Sequence, residues 1–284
     1  MIRAVADPAS RMAGSEPVVK LWLCANEDLP PDIAGVLASH WLDGQEKQTA
    51  SRFVFERDRR QYVVAHTLVR RALAMEAGLV EPELVIWRSP RGRPFLQYPE
   101  GGLPRGGPEL DFNLSHSSGY NLLGVVRQHR IGVDIERLDR EAQSLDTIAQ
   151  TFTPQEQAWV ARADRGRQRA RRVLRLWTLK EAYSKARGLG LGLSFDAFSF
   201  TLHDDRGVAA FSPPEDDLTG RWSFVELEPV PDVLVAIALQ AKEELPLVLQ
   251  LHQGFPWARS EPIAVALPES LGKQRDRPDE ALVG

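Results

Sequence analysis

Hydrophobic and polar residues alternate strictly along a short segment in the middle of the chain. In residues 131–136, isoleucine and valine occupy the odd positions, while Gly132, Asp134 and Glu136 occupy the even ones. Because side chains of a strand repeat every two residues, this pattern predicts a strand with one apolar and one acidic face. Neighbouring carboxylates repel each other unless a proton or a cation lies between them. The segment is therefore either an edge strand whose acids face water or part of a site for a hard divalent ion.

A second segment has helical periodicity. Trp177, Glu181 and Lys185 recur every four residues, so a helix places them on one face, and Gly188 follows as a residue suited to a helix end. Glu181 and Lys185 could form only a surface ion pair, worth roughly a few tenths of a kcal/mol. If this helix packs on the acidic strand, three carboxylates and one ammonium converge. That combination suits a magnesium ion and a phosphorylated substrate.

The remaining patterns predict an α+β fold made of two similar halves. A helix that ends at a glycine and is followed by a strand occurs in residues 62–87 and again in 173–202, which suggests two lobes with a cleft between them. Residues 120–126 are predicted to form a hairpin with 131–136. The other predicted elements are strands at 18–24, 84–87, 195–202, 222–226 and 233–238, helices at 32–42, 47–75 and 173–188, a helix starting near Leu145, and a capped helix start at Thr153.

Composition adds a general frame. The chain has 284 residues, 43% hydrophobic and 26% charged, as in ordinary globular proteins. The single cysteine, Cys24, cannot form an intrachain disulfide, and there is no charged-then-apolar leader or run of 18 apolar residues. We therefore expect a cytoplasmic protein without a membrane partner. The net charge of −4 argues against a general nucleic-acid binder, and we expect a monomer.

Four motifs, in this order, resemble a known enzyme family. They are Arg91-Gly-Arg-Pro94, Phe112-Asn-Leu-Ser-His116, Gly132-Val-Asp-Ile-Glu136 and Trp177-Thr-Leu-Lys-Glu-Ala-Tyr-Ser-Lys185. Together they resemble the 4′-phosphopantetheinyl transferases of the surfactin-synthetase-activating (Sfp) type, over roughly residues 40–240. The resemblance implies two lobes related by a pseudo-twofold axis, each a small antiparallel sheet packed on a long helix. The sequence as a whole divides into four predicted segments: a disordered 1–17, whose residues are small, polar and aperiodic, an N-terminal lobe 18–118, a C-terminal lobe 119–244 with the metal site, and a tail 245–284 without an assigned role.

The resemblance implies a magnesium-dependent reaction and assigns roles to the acidic cluster. Asp134, Glu136 and Glu181 would bind Mg²⁺, Glu181 would be the general base, and Lys185 would stabilise or protonate the departing phosphate. The substrates would be coenzyme A and an apo acyl or peptidyl carrier protein. The carrier would dock near Arg137. Because a carboxylate that also binds a metal is a weak base, Glu181 would act directly or through a water.

Several residues are implied to contact coenzyme A. The resemblance assigns its phosphates to Arg93, Ser115, His116 and Lys185. The basic residue usually found four positions before Phe53 is Thr49 in this chain, which leaves Arg52 and Arg57 as substitutes. Ser115 and His116 could also suggest a hydrolase, but the G-x-S-x-G turn that usually carries a nucleophilic serine is absent.

Two other functions remain open at this stage. A magnesium-dependent nucleotide pyrophosphohydrolase could use the same acids with water as the nucleophile, and a carrier-binding module could lack catalysis altogether. The four charges at Asp134, Glu136, Glu181 and Lys185 argue against the latter. Residues 162–175 contain seven arginines, which form either a solvated face or a patch that attracts an acidic carrier.

Overall fold

A computed structural model describes residues 17–80, 83–97, 109–164, 166–217, 221–241, 247–257, 261–265 and 273–274. The helices are α1 (Ile33–Trp41), α2 (Gly44–Ser51), α3 (Glu56–Ala77), α4 (Ala142–Ala149), α5 (Pro154–Ala161) and α6 (Arg167–Arg187). The strands are β1 (Val18–Ala25), β2 (Val85–Arg88), β3 (Pro94–Gln97), β4 (Leu110–Ser117), β5 (Tyr120–Arg127), β6 (Arg130–Arg137), β7 (Ser199–Leu202), β8 (Val208–Ser212), β9 (Arg221–Val230), β10 (Val233–Ala241), β11 (Val248–Gln253), β12 (Ile263–Val265) and β13 (Lys273–Gln274). The disorder predicted for residues 1–17 falls on residues outside the described ones, except for Pro17, whose carbonyl oxygen accepts a hydrogen bond from Val248 N at 3.1 Å. None of the described helices is both long and apolar enough to cross a membrane.

The single long helix predicted at 47–75 is wrong, because the structure divides it into α2 and α3. Asp43 starts α2 with a capping box, in which it accepts a hydrogen bond from Glu46 N at 2.8 Å and Glu46 accepts one from Asp43 N. The break follows at residues 52–55, where Phe55 has extended backbone angles that no α-helix accommodates. Both long helices, α3 and α6, end at a glycine in the left-handed region, Gly78 and Gly188, as predicted.

The first sheet has five strands in the order β12-β11-β1-β5-β4. Strand β11 pairs with β1 in parallel, so this sheet is mixed and not purely antiparallel as predicted, and part of the predicted tail belongs to it. The hairpin predicted between 120–126 and 131–136 is wrong. Because β5 lies between β1 and β4, both of its edges are occupied, and β6 pairs with β10 instead.

The second sheet has the order β6-β10-β9 and packs face to face with the first. Aliphatic side chains of β1, β5, β6, β9 and β10 fill the space between the two sheets. Helix α3 covers the outer face of the first sheet and α6 covers the outer face of the second, each over its own apolar cluster. The order of layers is therefore helix, sheet, sheet, helix, a mixed α+β architecture. Smaller sheets are formed by β13-β8-β7 and β2-β3.

Gly132 determines how closely β6 and α6 approach each other. A β-carbon at this position would lie 1.9 Å from the carbonyl oxygen of Ala182 and 2.6 Å from the amide nitrogen of Ala186. Only glycine therefore permits this contact between strand and helix. Because Gly132, Asp134 and Glu136 share one face of β6, the contact places both carboxylates beside α6.

Candidate active site

Asp134 is the centre of a small buried polar cluster between β4, β6 and α6. The Lys185 ammonium lies 2.5 Å from Asp134 Oδ1. Ser115 Oγ donates a hydrogen bond to the same oxygen at 2.8 Å and accepts one from Lys185 Nζ at 2.8 Å. Asp134 is only 4% exposed, and its second oxygen, Oδ2, is buried without a hydrogen-bond partner in the described part of the chain. An additional cation or proton donor would satisfy that oxygen.

Glu136 lies on the same face of β6 and is held from three sides. Ser117 Oγ donates to Glu136 Oε2 at 2.7 Å, and Trp177 Nε1 donates to Oε1 at 3.2 Å. The Arg140 guanidinium contacts both oxygens, with Nε 3.1 Å from Oε2 and Nη2 against Oε1. Burial, and then the neighbouring Asp134 carboxylate, raise the pKa of Glu136.

Glu181 faces these two acids from α6, as the helical spacing predicts. Burial raises the pKa of Glu181, and the charges of Asp134 and Glu136 raise it further, while Lys185 lowers it. Asp134, Glu136 and Glu181 therefore influence one another electrostatically. Among the described residues, however, no three acidic, histidine or cysteine side chains are already gathered tightly enough to hold a metal ion.

Side chains of β4 contact the edge of β6 that pairs with no strand in the described part of the chain, and they thereby connect the first sheet to the acidic strand. Asp111 Oδ2 accepts a hydrogen bond from Ile131 N at 2.7 Å, and Asn113 Oδ1 accepts one from Val133 N at 2.9 Å. Further along β4, Ser115 and Ser117 reach the two carboxylates. These alternate side chains replace the ladder that a neighbouring strand would supply. Ser117 was not predicted as a site residue, although its spacing of two from Ser115 is a usable signal.

Arg93, the predicted phosphate contact, is buried beneath this cluster. Its guanidinium donates to Asp111 Oδ2 at 2.6 Å, to the carbonyl oxygen of Lys185 at 2.6 Å and to that of Ile131 at 3.0 Å. Burial lowers the pKa of Arg93, and the Asp111 carboxylate acts in the opposite direction. The side chain joins β3, β4, β6 and the end of α6. These contacts show that Arg93 holds neighbouring elements together. Its contact with a phosphate stays a prediction.

A cleft of about 1100 Å³ is lined by residues that are close in sequence to Ser115 and Glu136, but its described lining includes none of Asp134, Glu136, Glu181 and Lys185. His116 and Arg57, two predicted coenzyme A contacts, line it together with Arg137, whereas Arg52 is exposed at the end of α2 and is not part of the lining. Burial, and then the Lys185 ammonium, lower the pKa of His116. His66 also lines the cleft and stacks on Tyr62 with ring centroids 4.0 Å apart. The sequence analysis did not identify His66, because a lone histidine in a helix carries no specific signal.

The arginine run at 162–175 is largely paired with acids. In the described part of this run the pairs are Arg167 with Asp232, Arg169 with Asp146, Arg171 with Glu228, Arg172 with Asp204 and Arg175 with Glu226. Arg175 and Glu226 are both buried, which differs from the solvated face that the charge run predicts. Because their charges are compensated locally, these arginines are a weaker source of attraction for an acidic partner than the sequence indicates.

Lys180, on the stripe beside Glu181, is fully buried and belongs to the interior. It pairs with Glu156 at 2.9 Å and donates to the carbonyl oxygens of Phe195 and Phe198, each at 2.7 Å. Glu156 also forms the predicted capping box with Thr153. This buried pair connects α5 to α6 on a side of α6 other than the one that carries Glu181 and Lys185.

Comparisons with known proteins identify the family of this chain. Residues 31–127 match a family model described as 4′-phosphopantetheinyl transferase, N-terminal, and residues 130–238 match the 4′-phosphopantetheinyl transferase superfamily. The predicted class, a transferase, is thereby confirmed. The chain belongs to the 4′-phosphopantetheinyl transferase superfamily. The boundary between the two matched ranges falls between β5 and β6.

Individual relatives cover different shares of the chain. A phosphopantetheinyl transferase of Thraustochytrium sp. is 32% identical over 63% of this chain and 64% of its own length. The 4′-phosphopantetheinyl transferase HetI of Nostoc sp. is 29% identical over 78% of this chain and 87% of its own. A holo-[acyl-carrier-protein] synthase structure from Thermotoga maritima aligns with a TM-score of 0.32 at 19% identity, over 40% of this chain and 64% of that one. The chain thus spans just under two thirds of the first of these relatives.

Proposed function

We propose that this protein transfers the 4′-phosphopantetheine group of coenzyme A to a serine of an apo carrier protein in a Mg²⁺-dependent reaction. The products are the holo carrier protein and adenosine 3′,5′-bisphosphate. The observation that carries the proposal is the pairing of Lys185 with Asp134 at 2.5 Å, beside Ser115. Three separated motifs thereby contribute to one cluster, and a phosphate would meet both an ammonium and buried acids there.

Asp134, Glu136 and Glu181 would hold the magnesium ion. Carboxylate oxygens are the protein ligands that Mg²⁺ prefers. The partnerless Oδ2 of Asp134 supports this assignment, and so do the raised pKa values of Glu136 and Glu181, because a nearby cation would relieve the repulsion among the acids. The bound ion would offset the negative charge that develops as the phosphoanhydride breaks.

Glu181 would accept, and Lys185 would donate, the protons that the transfer requires. The serine oxygen of the carrier bonds to the phosphorus next to pantetheine, and Glu181 takes the proton of that hydroxyl. Because a carboxylate that also binds the ion is a weak base, Glu181 would accept this proton directly or through a water. The bond between this phosphorus and the bridging oxygen breaks, and its electrons leave with adenosine 3′,5′-bisphosphate. Lys185 donates a hydrogen bond or its proton to that departing phosphate, while Ser115 positions the ammonium.

The cleft is the proposed site of coenzyme A and of the incoming carrier serine. His116 and Arg57 on its wall could contact the phosphates of coenzyme A. Arg137 lines the same cleft next to Glu136, which supports docking of an acidic carrier near Arg137 and Leu138. A carrier bound there would bring its serine toward Glu181.

We further propose the Sfp-type arrangement of two lobes related by a pseudo-twofold axis. The two long helices support it: α3 has 22 residues and α6 has 21, and each ends at a left-handed glycine. They pack on opposite outer faces of the two sheets. Each half thus pairs one long helix with one sheet, and the acidic strand lies at their junction.

The intact mass of an apo carrier protein tests this function. The carrier is incubated with coenzyme A, Mg²⁺ and the wild type, Asp134→Ala or Glu181→Ala. Asp146→Ala is a matched control, because it removes an exposed carboxylate from α4, outside the cluster. We expect the mass of one phosphopantetheine group to be added by the wild type and the control only. Cleavage of coenzyme A without a mass gain would favour the pyrophosphohydrolase, and carrier binding without either reaction would favour the non-catalytic module.

A further inference from the structure

Arg140 covers the solvent side of Glu136. Its guanidinium contacts both carboxylate oxygens, so it occupies the positions from which Glu136 would otherwise bind a cation. The side chain of Arg140 is 34% exposed, whereas that of Glu136 is 7% exposed. The partly solvated Arg140 guanidinium therefore lies between the buried Glu136 carboxylate and the solvent. The four motifs that define the family resemblance do not include this residue.

The backbone around Arg140 is not part of a helix or a strand. Residues 138–141 join β6 to α4. Because the Glu136 carboxylate is buried, leaving it without a cation would be costly, so Arg140 can turn into water only when another cation takes its place. Lys185 differs, because it is anchored on the long helix α6 and its ammonium contacts both Asp134 and Ser115.

Glu136 keeps its orientation when Arg140 leaves. Ser117 continues to donate to Oε2, and Trp177 continues to donate to Oε1. Each oxygen retains a neutral donor and regains a free direction for a cation. A guanidinium and a divalent ion on the same carboxylate would repel each other strongly at short distance. Only one of the two can therefore use Glu136 fully at a time.

We propose that Arg140 and the divalent cation compete for Glu136, so that Arg140 neutralises this carboxylate in the metal-free protein and turns into solvent when the cation binds. The inference rests on the proposed function, because it concerns the cation which that function requires. According to this proposal, Arg140 influences the affinity of the site for the cation although it is not itself a ligand. We therefore expect the wild type to bind the cation more weakly than a variant that lacks the charge of Arg140.

Metal binding measured without substrate tests this competition. Mn²⁺ is titrated calorimetrically into the wild type, Arg140→Gln, Arg140→Lys and Arg137→Gln. Arg140→Gln keeps a polar side chain but removes the charge, and Arg140→Lys restores the charge. Arg137→Gln is the matched control, since it removes an equal charge three residues away, where the guanidinium pairs with Asp139. We expect Arg140→Gln to bind Mn²⁺ about tenfold more tightly than the wild type, on the scale of one charge-assisted hydrogen bond.

Arg140→Lys should recover much of the wild-type affinity, and Arg137→Gln should change it far less than Arg140→Gln does. Unchanged or weaker Mn²⁺ binding by Arg140→Gln would overturn the competition, as would an equal gain in Arg137→Gln. The carrier-mass assay separates this failure from failure of the proposed function. If the wild type modifies the carrier but Arg140→Gln binds Mn²⁺ no more tightly, only the competition is wrong. If the wild type neither binds Mn²⁺ nor modifies the carrier, both proposals are wrong.

Discussion

Gly132 on β6 lies so close to Ala182 on α6 that a β-carbon at residue 132 would come within 1.9 Å of the Ala182 carbonyl oxygen. The atom it would meet belongs to a helix backbone, which cannot move aside as a flexible side chain can. The separation between the acidic strand and the helix that carries Glu181 and Lys185 therefore depends on the missing side chain of residue 132.

Gly132→Ala is expected to destabilise the protein by about 1–3 kcal/mol or more, as overpacking does, and to reduce carrier modification strongly. The control is Gly35→Ala in α1, where a β-carbon would meet nothing within 4 Å. That change should raise the free energy of unfolding by about 0.5–1 kcal/mol, because alanine is the better helix former. Denaturant unfolding of both variants checks the pair. Equal stability in Gly132→Ala and the wild type would contradict the close contact.

The buried pair of Lys180 and Glu156 is expected to behave as a unit. Lys180→Met should lower the free energy of unfolding by about 3–5 kcal/mol, because it leaves the Glu156 carboxylate buried without its cation. Lys180→Met combined with Glu156→Gln should cost less than the sum of the single changes. A double-mutant cycle from urea unfolding measures this coupling. Strictly additive effects would show that the two groups do not stabilise each other.

The titration of Lys180 gives the same pair a pH dependence. Burial lowers the pKa of Lys180 from 10.5 to about 8, so between these values the unfolded chain binds more protons than the folded one. The free energy of unfolding contributed by this group therefore rises as the pH increases from about 8 toward 10.5, and below 8 the burial cost is fully present. The difference between the wild type and Lys180→Met, followed from pH 7 to 10, isolates this contribution. A difference that is constant over that range would contradict it.

Arg93 offers a test between a structural and a substrate-binding role. Arg93→Met should lower the free energy of unfolding by about 1–3 kcal/mol, because the partly buried Asp111 and the two carbonyl oxygens lose their donor. Arg57→Met, which removes an exposed arginine from the cleft wall, should leave stability nearly unchanged and raise the KM for coenzyme A. Thermal unfolding and steady-state kinetics of the two variants check this contrast. A stable Arg93→Met with a raised KM would restore the predicted phosphate contact.

Cys24 should be unreactive in the folded protein. It is fully buried in β1, and burial raises the pKa of its thiol to about 12. At pH 8 only about one thiol in ten thousand is then ionised, and the thiolate is the reactive form. Reaction with a thiol reagent should therefore be slow in the native protein and rapid in denaturant. Rapid labelling of the native protein would show that the first sheet opens readily.

Local patterns identified the acidic strand and the helix that faces it. Alternation places Asp134 and Glu136 on one side of β6, and a spacing of four places Glu181 and Lys185 on one side of α6. Both inferences need only the geometry of isolated elements. The long-range pairings were not available from this information. The hairpin predicted for β5 and β6 was wrong because β1 and β4 compete for the edges of β5, and a competing strand is visible only in the assembled sheet.

Periodicity and motif spacing in the amino-acid sequence predicted the family, the acidic strand and the face of α6 that carries Glu181 and Lys185, because these are local properties. The tertiary structure decided which groups meet. It brought Ser115 and Lys185 to Asp134, buried Arg93 beneath them and set Arg140 on Glu136. Such contacts depend on how strands order themselves in a sheet and how closely two backbones approach. Those distances result from the packing of the whole chain, to which residues far apart in sequence contribute together.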